Sequence, residues 1–395
     1  MTTTTNPTPT IVLLGAAFSG IPLAHKLLRS LPSEYKLILV NPSTHIYWNF
    51  AAARILSKND QFSTNNSDAF PPLIPGFSTY ADTRFEFVQG KATALKPEEN
   101  VVVVTENDDD GNVGAVREVA YTHLIVATGS AAADGWPFKS VGSHLQTQRK
   151  IAEIHTLVEA AATIVLSGAG ATGVETAGEL ATLYKGSGKK IYLLSSGDRP
   201  LPMIREDVGK AAQKQLESLG VVVKNGVRVS QETEKDGKKV LVLSDGETIE
   251  ADLHIPTFGL VPNTQFLPLE LLDETKSVKV NKHMQSTVVE NIWATGDAAG
   301  VKDKKSITVK PMLETVEHNV LAAIRGEDKT KWKEYKEEPT PILVPIGGGF
   351  AMGTGILGSW RVWGFLVWLL KGRSYFIGNG KNVALGKQYP GGGKV

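Results

Sequence analysis

The feature that most constrains this chain is a glycine fingerprint that occurs twice, once at its start and once in its middle. In the middle, the apolar run Ile164-Val165-Leu166 ends at Ser167 and is followed by Gly168, Gly170 and Gly173, spaced G-x-G-x-x-G. A helical pattern then continues through Val174, Ala177, Leu180 and Ala181. Strand, tight turn and helix in that order read as a dinucleotide site. Gly168 permits the turn, Gly170 lets backbone approach a pyrophosphate, and Gly173 lets the helix pack closely on the strand. Ala171 and Thr172 open the helix, where free N–H groups and the dipole favour phosphate. The first copy follows Ile11-Val12-Leu13-Leu14 and reads Gly15-Ala16-Ala17-Phe18-Ser19-Gly20, ahead of an apolar helix through Ile21, Leu23, Ala24, Leu27 and Leu28. Here Ala17 stands where the second glycine is expected, so a methyl group crowds the phosphate position. One such match among 39 glycines is weak; two, each with its strand and helix, predict an α/β chain with two Rossmann-like units.

Composition narrows the chemistry. A length of 395 residues suits about two to three domains. The formal net charge of +1 gives no global field for nucleic acid, and none is expected as a partner. The absence of cysteine excludes a redox dithiol, a thiolate nucleophile and thiolate-held zinc or iron–sulfur clusters. It fits an intracellular protein, cytoplasmic or peripheral to a membrane. The polar start MTTTTNPTPT carries no apolar signal region, Thr2 replaces the glycine that myristoylation needs, and no uncharged apolar run reaches spanning length.

The second strand of the first unit, residues 35–40, ends at Asn41, where an acid for the ribose hydroxyls is usual. A loop and helix region spans residues 45–80, and strands are expected at 85–88, 101–105 and 116–121. The acidic run ENDDDG at 106–111 reads as a solvated hairpin tip. Residues 123–126 form an apolar strand leading to Ala127-Thr128-Gly129. In the second unit, strand 190–194 ends at Ser195-Ser196, with Arg199 close behind. An acid there would repel the 2′-phosphate of NADP; serines and an arginine leave room for it. The leaning is to NADPH, with NADH open. A helix over 211–219 and strands at 221–224 and 240–243 follow, the last paired after an Asp236-Gly237 turn, and residues 255–263 read as a crossover out of the unit. Ile292-Trp293-Ala294 then delivers Thr295-Gly296-Asp297, an aspartate suited to ribityl hydroxyls, ahead of a helix over 311–325.

Four blocks thus stand in one order: GAAFSG, ATG, GAGATG and TGD. That order resembles the two-dinucleotide-binding-domain flavoproteins of glutathione-reductase-like fold. Asn49-Phe50-Ala51-Ala52-Ala53-Arg54, Gly173-Val174-Glu175, Lys310-Pro311-Met312 and the stretch after Pro341 resemble the apoptosis-inducing-factor-like branch that includes ferroptosis suppressor protein, with type II NADH dehydrogenases as relatives. The resemblance implies an FAD-binding domain over residues 11–155 and 259–338, an inserted NAD(P)H-binding domain over 156–258, and a small C-terminal cap over 339–395, behind a leader at 1–10. It implies FAD and NADPH or NADH as cofactors, and a quinone as acceptor. A reductase of an electron-carrier protein and a slow, redox-controlled signalling flavoprotein are the alternatives.

By the same resemblance, Gly15 to Gly20 and Asp297 hold FAD, Arg54 lies near its phosphates, and the Ala92 backbone meets its adenine. Glu175 lies near the nicotinamide and the flavin as a catalytic residue, and Lys310 stands near the flavin as a stabilising cation. Without a dithiol, electrons leave by direct contact with the acceptor. Trp360, Trp363, Phe365, Leu366, Trp368, Leu369 and Leu370 cluster near Arg361 and Lys371 in a helix-like run. Such a run suits a membrane interface, a quinone entry, or packing on the body or a second copy in a homodimer. Gly347, Gly348, Gly349 and Gly353 mark a place where backbone comes close to something, another strand being the simplest choice.

Overall fold

The computed structural model describes residues 8–57, 68–302, 309–337, 341–350 and 352–395. Of the leader expected over 1–10, residues 1–7 lie outside the described residues. β1 (Thr10–Leu14) and β2 (Lys36–Asn41) lie side by side in parallel, buried along most of their length. Strands covered on both faces need apolar residues at every position, which is why IVLL and LILV read as runs rather than alternations. α1 (Gly20–Ser30) makes the crossover and buries Ile21, Leu23, Ala24, Leu27 and Leu28. After the short α2 (Ala52–Leu56), β3 (Phe85–Lys96) adds to β2 in parallel and then turns into an antiparallel meander with β4 (Val101–Asn107) and β5 (Val113–Ala120). β6 (His123–Val126) takes the other side of β1.

The meander strands are longer than expected. Gly90 sits inside β3 because a Cβ there would lie 2.7 Å from the Thr105 carbonyl oxygen. The acidic hairpin tip is exposed at Asp108 and Asp110, as a solvated tip should be, and is held by local hydrogen bonds. Asp108 accepts from the Asn112 N–H at 2.8 Å, and Asp109 accepts from Thr44 and Gln89.

β7 (Ser130–Ala131) and α3 (His144–Ala160) lead into the second unit. α3 was not expected, although its start was visible as Ser143-x-x-Gln146. The two residues form a capping box, with the Gln146 N–H on Ser143 Oγ at 3.2 Å and the Ser143 N–H on Gln146 Oε1 at 3.0 Å. The boundary expected between residues 155 and 156 falls within this helix. The second unit then runs β8 (Thr163–Ser167), α4 (Ala171–Leu183), β9 (Lys190–Leu194), α5 (Glu206–Ser218) and β10 (Val222–Lys224). An antiparallel trio follows: β11 (Val229–Lys235), β12 (Lys238–Leu243) and β13 (Thr248–Ala251). β14 (Leu253–Pro256) returns beside β8, giving a parallel sheet in the order β10-β9-β8-β14. The stretch expected to be only a crossover therefore begins as a core strand.

β15 (Val261–Pro262) pairs with β7, and β16 (Ile292–Ala294) re-enters the first sheet beside β6. That sheet has the order β16-β6-β1-β2-β3-β4-β5, so the strands of the second sheet all lie between β6 and β16 in the chain. α6 (Val309–Ile324) packs on α1. Last come a small antiparallel sheet of β17 (Ile342–Val344), β18 (Thr354–Leu357) and β19 (Trp360–Val362), then α7 (Gly364–Val367), a wider π turn at Trp368–Gly372, and α8 (Gly380–Ala384). The run expected to be one helix over residues 360–370 is thus split. Trp360–Val362 pairs as a strand with β18, and helix begins only at Gly364.

The glycine run marks two close approaches: at Gly353 to a strand, where a Cβ would lie 3.0 Å from the Val344 carbonyl oxygen of β17, and at Gly347 to a helix. A Cβ on Gly178 of α4 would lie 2.7 Å from the Gly347 backbone nitrogen, and one on Gly347 would lie 2.1 Å from Thr182 Oγ1. At the fingerprint itself, a Cβ on Gly173 would lie 1.9 Å from the Gly168 carbonyl oxygen. Gly173→Val should therefore push α4 off its turn. Titration with NADPH is expected to show lost nucleotide affinity while flavin absorbance persists; unchanged affinity would contradict the packing role.

Candidate functional site

β1, β6 and β16 are parallel neighbours, so the turns that leave their C-terminal ends meet at one edge of the sheet. The structure brings three of the four blocks together there. A Cβ on Gly15 would lie 2.3 Å from the Ala127 carbonyl oxygen, one on Gly20 would lie 1.8 Å from the Gly15 oxygen, and one on Gly296 would lie 2.4 Å from Ser19 Oγ. Gly15, Gly129 and Gly296 all take positive φ, which glycine adopts at little cost. Ala16 and Phe18 are buried, Phe18 against Trp48 and Phe50, while Ala17 is exposed. Asn41 Oδ1 accepts from the Ala16 N–H at 2.9 Å, so this residue braces the turn. Thr128 Oγ1 donates to the Asn263 carbonyl oxygen at 2.8 Å. Asp297 accepts from Ser130 at 2.6 Å and Lys139 at 2.9 Å. Ala92 is buried in β3.

The second fingerprint has the matching cradle. Gly168 has φ +105°, and a Cβ on Gly170 would meet nothing within 4 Å, so backbone stands open to a ligand. α4 begins at Ala171 with no side-chain cap and no acid in its first turn, which leaves its first N–H groups for phosphate. Thr172 lies in that turn, and its carbonyl oxygen accepts from Thr176 Oγ1 at 2.7 Å. At the end of β9, Ser195 is buried and donates to the Arg199 carbonyl oxygen at 2.7 Å. The Arg199 guanidinium lies on Asp198 at 2.7 and 2.9 Å and on the Ile204 carbonyl oxygen, while its Nε is buried without a partner. Asp198 was not foreseen: it holds the charge that the sequence reserves for a phosphate.

Glu175 and Glu179 stand one turn apart on α4, both buried. Residues four apart share a helix face, and each carboxylate has its own partners. Lys371 from the π turn donates to Glu175 Oε1 at 2.6 Å and to the Leu343 carbonyl oxygen at 3.1 Å. Arg54 of α2 donates to Glu179 Oε1 through Nη2 at 2.6 Å and Nε at 3.0 Å, and the Tyr375 hydroxyl donates to the same oxygen at 3.1 Å. The Tyr375 ring lies 4.6 Å from the Arg54 guanidinium, and its carbonyl oxygen accepts from Trp48 Nε1 at 2.9 Å. Burial pushes the Glu175 carboxyl up against the pull of Lys371. Burial and then Glu179 push the Tyr375 phenol well up, so it stays a neutral donor. The arrangement can hold a proton or a positive charge beside the helix that follows the second fingerprint.

The structure therefore sets Arg54 on Glu179, and it does not bring Lys310 to Glu175. Lys310 is half exposed, 3.8 Å from Glu314 and over the Tyr389 ring. The cation on Glu175 is Lys371, which, like Tyr375, was missed as a partner. Glu179 carried a signal in its spacing from Glu175; the pairings across 196 residues carried none.

The sequence pattern of the family described as pyridine nucleotide-disulphide oxidoreductase matches residues 9–323. The oxidoreductase ptaL of Pestalotiopsis fici is 36% identical over 93% of this chain and 96% of its own. Ferroptosis suppressor protein 1 of Taeniopygia guttata is 27% identical over 93% of each. Among solved structures, a sulfide:quinone oxidoreductase from Aquifex aeolicus superposes with a TM-score of 0.74 over 95% of this chain and 92% of that one, at 16% identity.

Breaking one member of the buried network should cost more than a surface pair. Arg54→Met leaves Glu179 buried with only Tyr375 as a side-chain donor shown to it, and urea unfolding is expected to show a loss of about 3–5 kcal/mol. A loss below about 1 kcal/mol would match an exposed pair instead.

Proposed function

The chain belongs to the pyridine nucleotide-disulphide oxidoreductase family, and from that premise we propose that this FAD-dependent NAD(P)H oxidoreductase delivers its electrons to a quinone. Both cofactors fit the residues present: in one cradle, Gly15 to Gly20 with Asp297, backbone contact requires glycine at 15 and 20 and Ala17 stands exposed between them; in the other, Gly168 to Gly173, the backbone at Gly170 stands open. When bound, the nicotinamide supplies a hydride and the flavin takes it. The chain's own share is position and charge. Gly170, Ala171 and Thr172 offer backbone to the pyrophosphate. Glu175 is held in one rotamer by Lys371 and orients the nicotinamide end. Lys371 also places a positive charge beside Glu175, and Lys310 keeps the role near the flavin that the resemblance implies.

The observation that carries the quinone is the surface of the segment that bears Lys371. Trp360 is 79% exposed, Trp363 75% and Phe350 66%, and Leu357, Leu366 and Leu370 are exposed beside them. A water-facing rim of this kind is costly unless it meets an apolar partner, and here it adjoins the buried ion pair on Glu175. A lipophilic acceptor approaching along it needs no dithiol relay, and this chain has no cysteine to build one. Tryptophans beside Arg361 also suit peripheral contact with a membrane interface. Among the described residues no helix is long and apolar enough to cross a membrane. For the nucleotide, accepting NADPH would require Arg199 to trade Asp198 for the 2′-phosphate, so the reading is NAD(P)H without a preference.

Steady-state oxidation of NADPH and NADH by FAD-loaded protein, with and without a short-chain ubiquinone analogue, tests this. Strong quinone-dependent turnover is expected. Flavin that bleaches with NAD(P)H but is not reoxidised by the quinone would leave a protein acceptor or a signalling role in its place.

A further inference from the structure

A cleft of about 650 Å³ lies beside the C-terminal half of α1, lined by His25, Arg29 and Tyr80 on one side and by Gly386, Lys387 and Lys394 on the other. We propose that it is a second, anion-binding site, for a ligand that carries a phosphate monoester or a diphosphate. Neither fingerprint contributes to its lining.

Three cations converge on it. Arg29, Lys387 and Lys394 are exposed at its mouth; no aspartate or glutamate lines it, and its one anionic group is the carboxylate of Val395, which pairs with none of the three. None of the three side chains has a hydrogen bond or ion pair among the described residues. Elsewhere on this surface Lys36, Lys96, Lys224, Lys282 and Lys329 each sit on a carboxylate, so three unpaired cations around one concavity stand out from the local pattern. Concave walls of low dielectric concentrate a field of one sign, and Arg and Lys make their strongest hydrogen bonds to ionised oxygens. The paired cations of the surface are already neutralised; these three are not.

The floor supplies the second observation. His25 is 2% exposed and stacks on Phe77 at 4.2 Å. Its Nδ1 lies 3.3 Å from the Tyr80 hydroxyl, and its Nε2 is buried with no hydrogen-bond partner. Burial, with Arg29 adding to it, holds the ring's pKa down to about 4, so it is neutral at neutral pH. With the Tyr80 hydroxyl donating to Nδ1, the ring carries its proton on Nε2 as an unused donor. Buried donors of this kind are ordinarily satisfied, and an orphan asks for a partner that binds there. Gly386 packs directly on that ring edge, between it and the cleft. It has φ +61°, and a Cβ on it would lie 2.0 Å from His25 Cδ2 and 2.5 Å from Nε2. A phosphate at the mouth would lie among three cations that outnumber the one anion in the lining, the Val395 carboxylate, and a small shift at Gly386 would bring an oxygen to His25 Nε2.

The phosphate can come from a soluble ligand or from a lipid headgroup, and two arms separate them. FAD-loaded protein, with its nucleotide fingerprint saturated by NADP⁺, is titrated with inorganic pyrophosphate by calorimetry at low salt. The same protein is co-sedimented with phosphatidylcholine vesicles with and without phosphatidic acid. The variant is Arg29→Ala/Lys387→Ala/Lys394→Ala, with Lys387→Glu alone as a milder charge reversal. Both should keep the parent's NAD(P)H oxidation rate, because these residues lie outside the fingerprints. Binding of one probe that falls by about tenfold or more in the triple variant is expected, as the loss of even one charge-assisted bond would give. Pyrophosphate binding assigns a soluble ligand, and binding to phosphatidic acid vesicles alone assigns a lipid. If neither probe binds, or if the variants bind as tightly as the parent, the site is not there.

Discussion

Four charged side chains out of water on one helix face are the constraint on which the rest of this structure depends. Glu175 and Glu179 belong to α4, Arg54 to the first unit, and Lys371 to the C-terminal region. Burying each ion costs several kcal/mol, and only close, well-aligned partners offset it. The carboxylates are therefore tolerable only while both the first unit and the C-terminal segment are docked on α4. Hydrophobic contact alone would let those pieces slide. Two short ion pairs with a tyrosine and a carbonyl oxygen as further partners fix their register.

The same helix carries the nucleotide turn at its N-terminus, and this links packing to chemistry. The features that seat α4 on its strand, Gly173 against Gly168, also leave its first N–H groups free. Its next turn carries Glu175 and the turn after that Glu179. Gly178 lets the C-terminal backbone come close enough for Lys371 to reach back to Glu175. Gln215 of α5 fastens the same region from a second side, exchanging hydrogen bonds with the Gly353 N–H at 2.6 Å and its carbonyl oxygen at 3.1 Å. The role proposed for Glu175 at a nicotinamide needs a side chain whose rotamer is set by neighbours before the ligand arrives.

Much of this was legible in the sequence, for reasons specific to each part. The fingerprints could be read because tight turns and close helix–strand approach admit almost no residue but glycine. The parallel strands could be read because burial on both faces leaves an unbroken apolar run. Of the trio around β12, the hairpin turn at Asp236-Gly237 was read but the extents of β11 and β13 were not, because exposed meander strands such as VSQETEK carry little apolar signal. Trp360–Val362 was assigned to a helix because a dense apolar run does not reveal its period over three residues. The partners of Glu175 and Glu179 were beyond reach, since nothing local ties a lysine and a tyrosine to carboxylates nearly 200 positions away. Arg199 shows the reverse case: the residue was found, and its neighbour Asp198, which occupies it, was not.

The central claim is that the acceptor meets the protein along the aromatic rim of the segment clamped to Glu175. Stopped-flow resolution of the two half-reactions in Trp360→Ser/Trp363→Ser tests it most directly. The account predicts that flavin reduction by NAD(P)H keeps its parental rate, while reoxidation by a short-chain ubiquinone analogue slows. Parental rates in both half-reactions would show that the acceptor enters elsewhere and that the exposed tryptophans serve another contact.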